Sequence, residues 1–427
     1  MAVPYARPAE HLHDQLALVR LILAAALRRR ALLDVAHGDD DAELARLLAE
    51  ITASDRASTA RSAISPLAAV PLERLRRVFA LSTTELRVLV LLIGLELDVT
   101  LRAQVRQFMA DAQRPHPDVG LLAELLYVDA ERERVPEELG PDGNLARHAL
   151  VTVDRVVDTA FVLRRVRAVE RVIELAHGKD VMDRELARFV EPIAARSRDE
   201  LVLDGARFDE LVGLMGAAIA TERAGRGHPV LVLSGHDGAG RKTMTAAAAA
   251  HHGRASLRVR VRALPRDEAG LRELGPRLVR EARLADAVLV LDGVDQLGPE
   301  ASGMRIDELL LGSFAGPIVA TCGRITGKPP IMDRGAVVLE VGVPGEPARE
   351  ELWVRALPAA ADPALARWAA ERYFVTPGVI GAAALAATAR AAARTESRVP
   401  PVSASDLHEG LRGVLDAKLA TLGMRIT

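Results

Sequence analysis

The sequence predicts an α/β protein in which a five-stranded parallel sheet, helices on both faces, is preceded by helical segments and followed by more helix. Three observations predict it. Beyond Arg196, short apolar β-prone runs alternate with stretches of helical periodicity, the pattern of parallel strands joined by crossover helices. A glycine-rich turn at 235–243 joins one such run to one such helix. A further apolar run, 287–292, ends in an acid, Asp292.

Taken in order, residues 9–36 place Leu16, Val19, Leu23 and Leu27 on one helical face. Asp39, Asp40 and Asp41 precede a second helix through Leu48, where acids cap the start and complement the helix dipole. His11 and His13 lack a third ligand nearby and read as surface histidines. Residues 53–66, rich in Ser, Ala, Arg and Thr and closing Ser65-Pro66, read as a linker, which sets off 1–70 as an N-terminal helical segment.

A second domain is expected over 71–195. Ser82-Thr83-Thr84-Glu85 is a capping-box start to an apolar helix through Leu97, Asp98 restarts a helix through Met109, and Pro117-Asp118 opens a third. A β-prone run follows at 150–153, and a last helix is expected near 182–189. Three helices and a short strand pair suit a winged-helix arrangement, which often reads DNA. The third helix carries no Arg, Lys, Asn or Gln for base edges. The domain therefore reads as a protein contact or spacer.

The core, 200–344, has candidate strands at 229–234, 257–264, 287–292, 316–321 and 336–341, and helices at 206–224, 242–252, 266–284 and 303–313. The second strand alternates apolar residues with Arg258, Arg260 and Arg262. One wet face predicts a sheet edge with solvated or partner-facing arginines. After Pro344 four helices, 346–356, 363–374, 377–394 and 406–422, with Ser403 or Ser405 as the last cap, form a helical lid and C-terminal tail over 345–427.

Composition narrows the function classes. The 427 residues are 49% hydrophobic, 27% charged and 3% aromatic, with a net charge of −2. That balance gives no bulk attraction to nucleic acid or an anionic membrane. Lysine occurs only at 179, 242, 328 and 418, so Lys242 inside the glycine turn stands out. The single cysteine, Cys322, excludes an internal disulfide and suits a reducing compartment. No signal peptide is evident, and the longest apolar stretches, 21–27 and 88–95, are well short of a membrane span. A cytoplasmic protein is expected.

The chemistry centres on 235–243. Gly235, His236, Asp237, Gly238, Ala239 and Gly240 form a turn whose N–H groups, with the helix N-terminus behind them, suit a phosphate. The standard string is G-x-x-x-x-G-K-[ST], but here Gly240 is followed by Arg241, Lys242 and Thr243. Read without a gap, Arg241 takes the lysine position and Lys242 the hydroxyl position, where a charged ammonium cannot ligate Mg²⁺. Read with Arg241 bulged out, Lys242 and Thr243 serve as the lysine and the Mg²⁺-binding hydroxyl. Asp292 is placed to hold Mg²⁺. The next residue is Gly293, where a water-activating glutamate is wanted, and Asp295 is the nearest stand-in. Losing a general base typically costs about 10²–10⁴-fold in rate.

Together, the glycine turn, the strand ending in Asp292, the strand Pro317-Ile-Val-Ala-Thr-Cys-Gly323 and the run 334–344 resemble an AAA+ ATPase module. The likeness is greatest to bacterial AAA+ proteins with a winged-helix domain before the core, and it spans about 75–395. The resemblance implies ATP and Mg²⁺ as ligands, Gly235, Gly238 and Gly240 as the Walker A turn, and Asp292 as the Walker B acid. It places Gly293 on the Walker B glutamate, Cys322 on the sensor-1 polar residue and Arg334 on the trans-acting arginine finger. The lid segment 376–381 offers no sensor-2 arginine. The motifs are thus degenerate at several positions together. They imply a homo- or hetero-oligomeric ring subunit that binds nucleotide with weakened or absent hydrolysis, in protein remodelling or assembly. An active ATPase using Lys242 and Thr243 is the alternative, and a winged-helix DNA-binding regulator the second. Related proteins often accompany contractile injection systems, so a role beside such a machine is an expectation of the resemblance.

Overall fold

The computed structural model describes residues 2–33, 42–109, 116–154, 159–202, 204–225, 227–296, 306–312, 314–323, 335–359, 361–395 and 401–423. The acids Asp39 to Asp41 and Arg334 lie outside these residues. The chain forms two units, Met1–Glu185 with Pro276–Leu284, and Leu186–Gly275 with Ala285–Thr427.

In the first unit the helices are α1 (Pro8–Leu33), α2 (Ala42–Ala63), α3 (Pro71–Phe79), α4 (Thr83–Leu97), α5 (Val99–Arg106) and α6 (Val119–Leu126). Two single turns follow, α7 (Val135–Glu138) and α8 (Asn144–Arg147), then an antiparallel hairpin of β1 (Val151–Val153) and β2 (Val166–Ala168), and α9 (Glu170–Ala176). Local chemistry explains the helix starts. Ser82 and Glu85 form the expected capping box, Asp98 accepts from Thr100 and Leu101 N–H, and Asp118 accepts from Leu121 N–H. Each satisfies N–H groups that have no intrahelical partner. Ser82→Ala is expected to lower the stability of the chain by about 1 kcal/mol in urea unfolding.

Three expectations differ here. The stretch 53–66 is mostly helix rather than linker: α2 runs to Ala63, and buried Ser58 hydrogen-bonds Tyr5 and Gln15. Alanine and arginine favour helix, and Ser58 and Ser65 find tertiary partners. Residue 70 is no packing boundary, because Leu12, Leu18, Val19 and Leu23 of α1 share one core with Leu72, Leu75 and Leu89. The expected helix near 182–189 is absent. Gly178, in the left-handed region, ends the helical run after α9, and 184–189 is a series of turns.

Two buried arginines of this unit, Arg171 and Arg280, are paired with acids. Arg280 donates to Asp183 at 2.5 Å and to the Ala149 carbonyl at 2.7 Å, and Arg171 binds Glu281 at 3.0 Å and Asp180 at 2.6 Å. Losing one partner of such a network strands a charge away from water. Two buried histidines are held neutral, and one of them, His11, is thus not the surface residue that the sequence suggests. Burial pushes His11 to about 4; burial, with Arg283 and Arg147 nearby, does the same to His148. Arg283 Nη1 lies 3.1 Å from His148 Nε2, and since guanidinium only donates, that ring nitrogen accepts. The unfolded chain takes up protons near pH 6.5, while these rings resist until about pH 4. Stability is therefore full above pH 6.5 and falls as pH drops through that window. The urea midpoint is expected to fall between pH 7 and pH 5 by the equivalent of roughly 2 kcal/mol per histidine. A midpoint unchanged over that range would contradict the assignment.

The second unit is built on a six-stranded sheet in the order β3-β5-β6-β7-β4-β8. Its strands are β3 (Val190–Pro192), β4 (Val230–Gly235), β5 (Ala255–Arg260), β6 (Ala287–Asp292), β7 (Ile318–Cys322) and β8 (Ala336–Val341). The last five are parallel, as expected, but β3 adds an antiparallel edge strand beside β5. The strand with alternating arginines is therefore not at the edge. Every residue of β4 is buried, which fits its continuous apolar run between two neighbours.

Helices α10 (Gly205–Arg223), α11 (Arg241–His251) and α13 (Ile306–Leu311) accompany the strands, with the first part of α12 (Glu268–Leu284), whose residues from Pro276 on belong to the first unit. Leu211 and Met215 of α10 and Ala247 and Ala248 of α11 share a core with Leu231, Leu233, Val288 and Val319. The alanine run 246–250 favours helix and presents small side chains where α11 meets the strands. The lid comprises α14 (Glu346–Ala356), α15 (Pro363–Arg372), α16 (Pro377–Thr395) and α17 (Ala404–Gly423), closed around fully buried Trp353. Ser403 caps the last, exchanging hydrogen bonds with Asp406.

Candidate functional site

The glycine turn leaves the C-terminal end of β4, whose neighbours are β7 and β8, while the chain continues through α11 to β5, three strands away. Such reversals of strand order open a crevice at the carboxyl ends of the strands, where ligands of parallel α/β sheets bind. The side chains discussed below gather at this end.

Helix α11 begins directly at Arg241, with Gly240 as its cap at φ +87° and Met244 N–H bonded to the Gly240 carbonyl at 2.9 Å. No residue is bulged out between the second glycine and the helix. Arg241 therefore follows Gly240 as the first helical residue, Lys242 is the second and Thr243 the third. Their N–H groups precede any intrahelical acceptor and form the positive end of the helix. His236 and Asp237 are exposed at the tip, Gly238 is half-buried and Ala239 is buried. One guanidinium nitrogen of Arg241, Nη1, is buried without a hydrogen-bond partner.

Lys242 points toward β6. Its Nζ lies 3.2 Å from Asp292 Oδ2. The same oxygen accepts from Arg258 Nε at 2.7 Å and lies 2.5 Å from Nη2, while Oδ1 accepts from Thr321 Oγ1 at 2.8 Å. The ladder explains this: Asp292 is registered with Thr321 on β7 and Arg260 on β5. Arg258 also binds Glu191 of β3 at 2.5 Å, its partner across the antiparallel pair. The Asp292 side chain is 18% exposed. Burial alone would raise its pKa, but the Thr321 hydrogen bond and the charges of Lys242 and Arg258 outweigh it and hold the carboxyl below the ordinary range.

Arg258 is thus not the solvated or partner-facing side chain that the alternation suggested. It forms a bridge between Asp292 and Glu191, and its role depends on β3, whose three residues give almost no local signal. Thr321, one residue before the position assigned to sensor 1, is the group that touches Asp292. Cys322 is buried, its sulfur 3.9 Å from the Leu233 carbonyl, and burial with the Asp295 charge pushes its thiol up to about 11. Asp295, exposed at the surface, accepts from Gly323 N–H at 3.0 Å. Gly293 sits at φ +81°, a conformation that a glutamate adopts only with strain.

The lid reaches the cradle. Gly378 N–H donates to the Gly238 carbonyl at 2.8 Å, and Thr376 Oγ1 donates to the Asp237 carbonyl at 3.0 Å. Both acceptors are carbonyls, so the lid takes none of the turn's N–H groups, of which Ala239 N–H is already bonded to the His236 carbonyl at 3.1 Å. A Cβ on residue 378 would stand 2.8 Å from Gly238 Cα, against backbone that cannot yield. Gly378→Val is therefore expected to part the lid from the turn, with the N–H of residue 378 exchanging about tenfold or more faster with deuterium. Unchanged exchange would contradict the contact.

Magnesium demands oxygen ligands in near-ideal octahedral geometry. At this acid the nearest helical side chain is an ammonium, and a guanidinium occupies the other approach. These residues do not fit Mg²⁺. Fold and site together define an α/β protein with a glycine cradle at the end of its central strand and an acid already paired with the chain's own cations.

Comparisons with known proteins can be set beside this geometry. A family described as "Winged helix domain, variant" matches residues 1–190, so the likeness begins at the N-terminus rather than near residue 70. No curated protein matches the chain. Among solved structures, the FIGL-1 AAA domain is similar at 15% identity and TM-score 0.43, over 56% of this chain and 94% of that one. A structure titled "Structural Basis for Katanin Self-Assembly" is similar at 17% identity and TM-score 0.42, over 52% and 87%. No helix among the described residues is long and apolar enough to cross a membrane.

Proposed function

We propose that this chain is an AAA+-like subunit that holds a nucleotide on the 235–243 cradle, hydrolyses it poorly or not at all, and acts as a structural or regulatory member of a ring in protein remodelling or assembly. One observation carries the reading: both oxygens of Asp292 are engaged by Lys242, Arg258 and Thr321. The acid that would organise a metal and water is committed to the protein itself. Gly293 beside it has no side chain to take a proton, and Asp295 is tied to backbone. The cradle supports retention of the phosphate-binding half. Its turn glycines, the free end of an 11-residue helix and a buried, unpartnered guanidinium nitrogen all remain.

In this reading the ring partner supplies turnover, and an arginine at 334 would serve the neighbouring subunit's site. The winged-helix-like part is then a contact or spacer module. The test is isothermal titration of the full-length chain with ATP, and phosphate release with Mg²⁺ from the same preparation. Saturable heat without sustained release is expected. Sustained release abolished by Lys242→Ala would overturn the reading in favour of a working motor.

A further inference from the structure

Resting on that reading, we infer that the cradle takes the polyphosphate of a nucleoside di- or triphosphate as the metal-free anion, with Lys242 and Arg258 supplying the positive charge that a divalent cation supplies elsewhere. The disagreement between the residues at Asp292 and the needs of Mg²⁺ carries the inference.

The argument starts from donors and acceptors. An ammonium has three N–H donors and no acceptor. Lys242 spends one on Asp292 at 3.2 Å, and its side chain stays 43% exposed, so it has donors left for a phosphate oxygen. It is the second residue of α11, one position beyond Arg241, and its ammonium extends from the start of that helix to the acid. Arg258 takes the other side of the same carboxylate and is anchored from behind by Glu191 at 2.5 Å. Arg241 contributes a third positive charge beside the turn, with one buried nitrogen lacking a partner.

A divalent cation arriving with a nucleotide would have to displace the ammonium from Asp292 or sit beside two positive groups. Among the described residues no group of three or more His, Cys, Asp or Glu offers it a place. A bare polyphosphate meets the opposite situation. Lys242, Arg258 and Arg241 outnumber Asp292 and Glu191 by one, so its negative charge is attracted, and magnesium bound to it would cancel part of that attraction.

The experiment is isothermal titration of the full-length chain with ATP in EDTA and, separately, in excess Mg²⁺. Binding in EDTA is expected to be as tight as with Mg²⁺ or tighter, by up to about tenfold. Binding that requires Mg²⁺, or tightens with it, would overturn the inference while leaving the nucleotide site in place. Absence of binding in both conditions would overturn the nucleotide reading itself, and this inference with it. The double variant Arg241→Lys/Lys242→Thr restores the string G-x-x-x-x-G-K-T. It is expected to reverse the preference, binding ATP better with Mg²⁺ than in EDTA. A double variant that stays folded by circular dichroism and binds as the natural chain does would overturn the assignment to Lys242. Arg258→Gln, which leaves the cradle intact, is expected to weaken binding in EDTA by about tenfold, roughly the loss of one charge-assisted contact. Unchanged affinity would remove Arg258 from the proposal.

Discussion

Asp292→Asn is expected to raise the affinity of the full-length chain for ATP in EDTA by about tenfold, roughly 1.4 kcal/mol. In a metal-dependent site the same change removes a magnesium partner and weakens the metal–nucleotide complex, so the sign of the effect decides between the accounts. Here the carboxylate competes with the ligand for Lys242 at 3.2 Å and Arg258 at 2.7 Å. Asparagine keeps an oxygen for Thr321 and removes the charge. The fold tolerates the loss because Arg258 retains Glu191 and Lys242 reaches water. A stability loss of roughly 1–2 kcal/mol in urea accompanies it, the order of a charge-assisted hydrogen bond at a partly exposed site. The pH dependence has a definite sign. A folded pKa held below the ordinary carboxylate value contributes stability above that value and loses it as pH falls through the folded one. Between pH 6 and 8 Asp292 stays charged, so ATP affinity measured in EDTA carries no contribution from its titration. An affinity that falls in Asp292→Asn would contradict the arrangement.

The second large effect concerns turnover. The chain is expected to release phosphate from ATP at background rate, and Gly293→Glu alone is expected not to restore release. A missing general base costs about 10²–10⁴-fold, yet replacing it at this position meets two obstacles. Residue 293 sits at φ +81°, where a glutamate is strained, and the neighbouring acid is already paired. Only the combination Arg241→Lys/Lys242→Thr/Gly293→Glu addresses the cradle, the metal position and the base together. A steady-state phosphate assay on the single and triple variants separates the cases. Release restored by Gly293→Glu alone would show that Asp292 is available to a metal after all.

Much of the second unit was legible because parallel strands buried on both faces read as continuous apolar runs. The strand beginning at 287 starts and ends where expected and is largely buried; the strand beginning at 336 does so too, though at the sheet edge only Leu339 is buried, and the glycine turn announces itself by composition. The capping chemistry of Ser82, Asp98 and Asp118 was equally local. What escaped notice depends on partners distant in sequence. Arg258 looked like one of a solvated row because nothing in 257–264 reveals β3, a three-residue strand ending in proline and paired 67 positions upstream. Thr321 rather than its neighbour Cys322 meets Asp292 because the ladder registers it with the acid, and a sequence does not show that register. The helix α2 was divided because serine and threonine suggest loops unless their hydroxyls find buried partners, as Ser58 does. Of the proposed site, the glycines, Arg241, Lys242 and the acid were evident, and the parts played by Arg258 and Thr321 were not.

The account rests on Lys242 holding Asp292 in the place of a metal, and the chain's four lysines make that directly observable. With ¹⁵N-lysine incorporated, the ammonium signal that disappears in Lys242→Ala is followed by NMR during addition of Mg²⁺ and, separately, in Asp292→Asn. The account predicts a signal that moves in Asp292→Asn and is indifferent to Mg²⁺. A signal that ignores the loss of Asp292, or that Mg²⁺ displaces to the position of a free lysine, would contradict it.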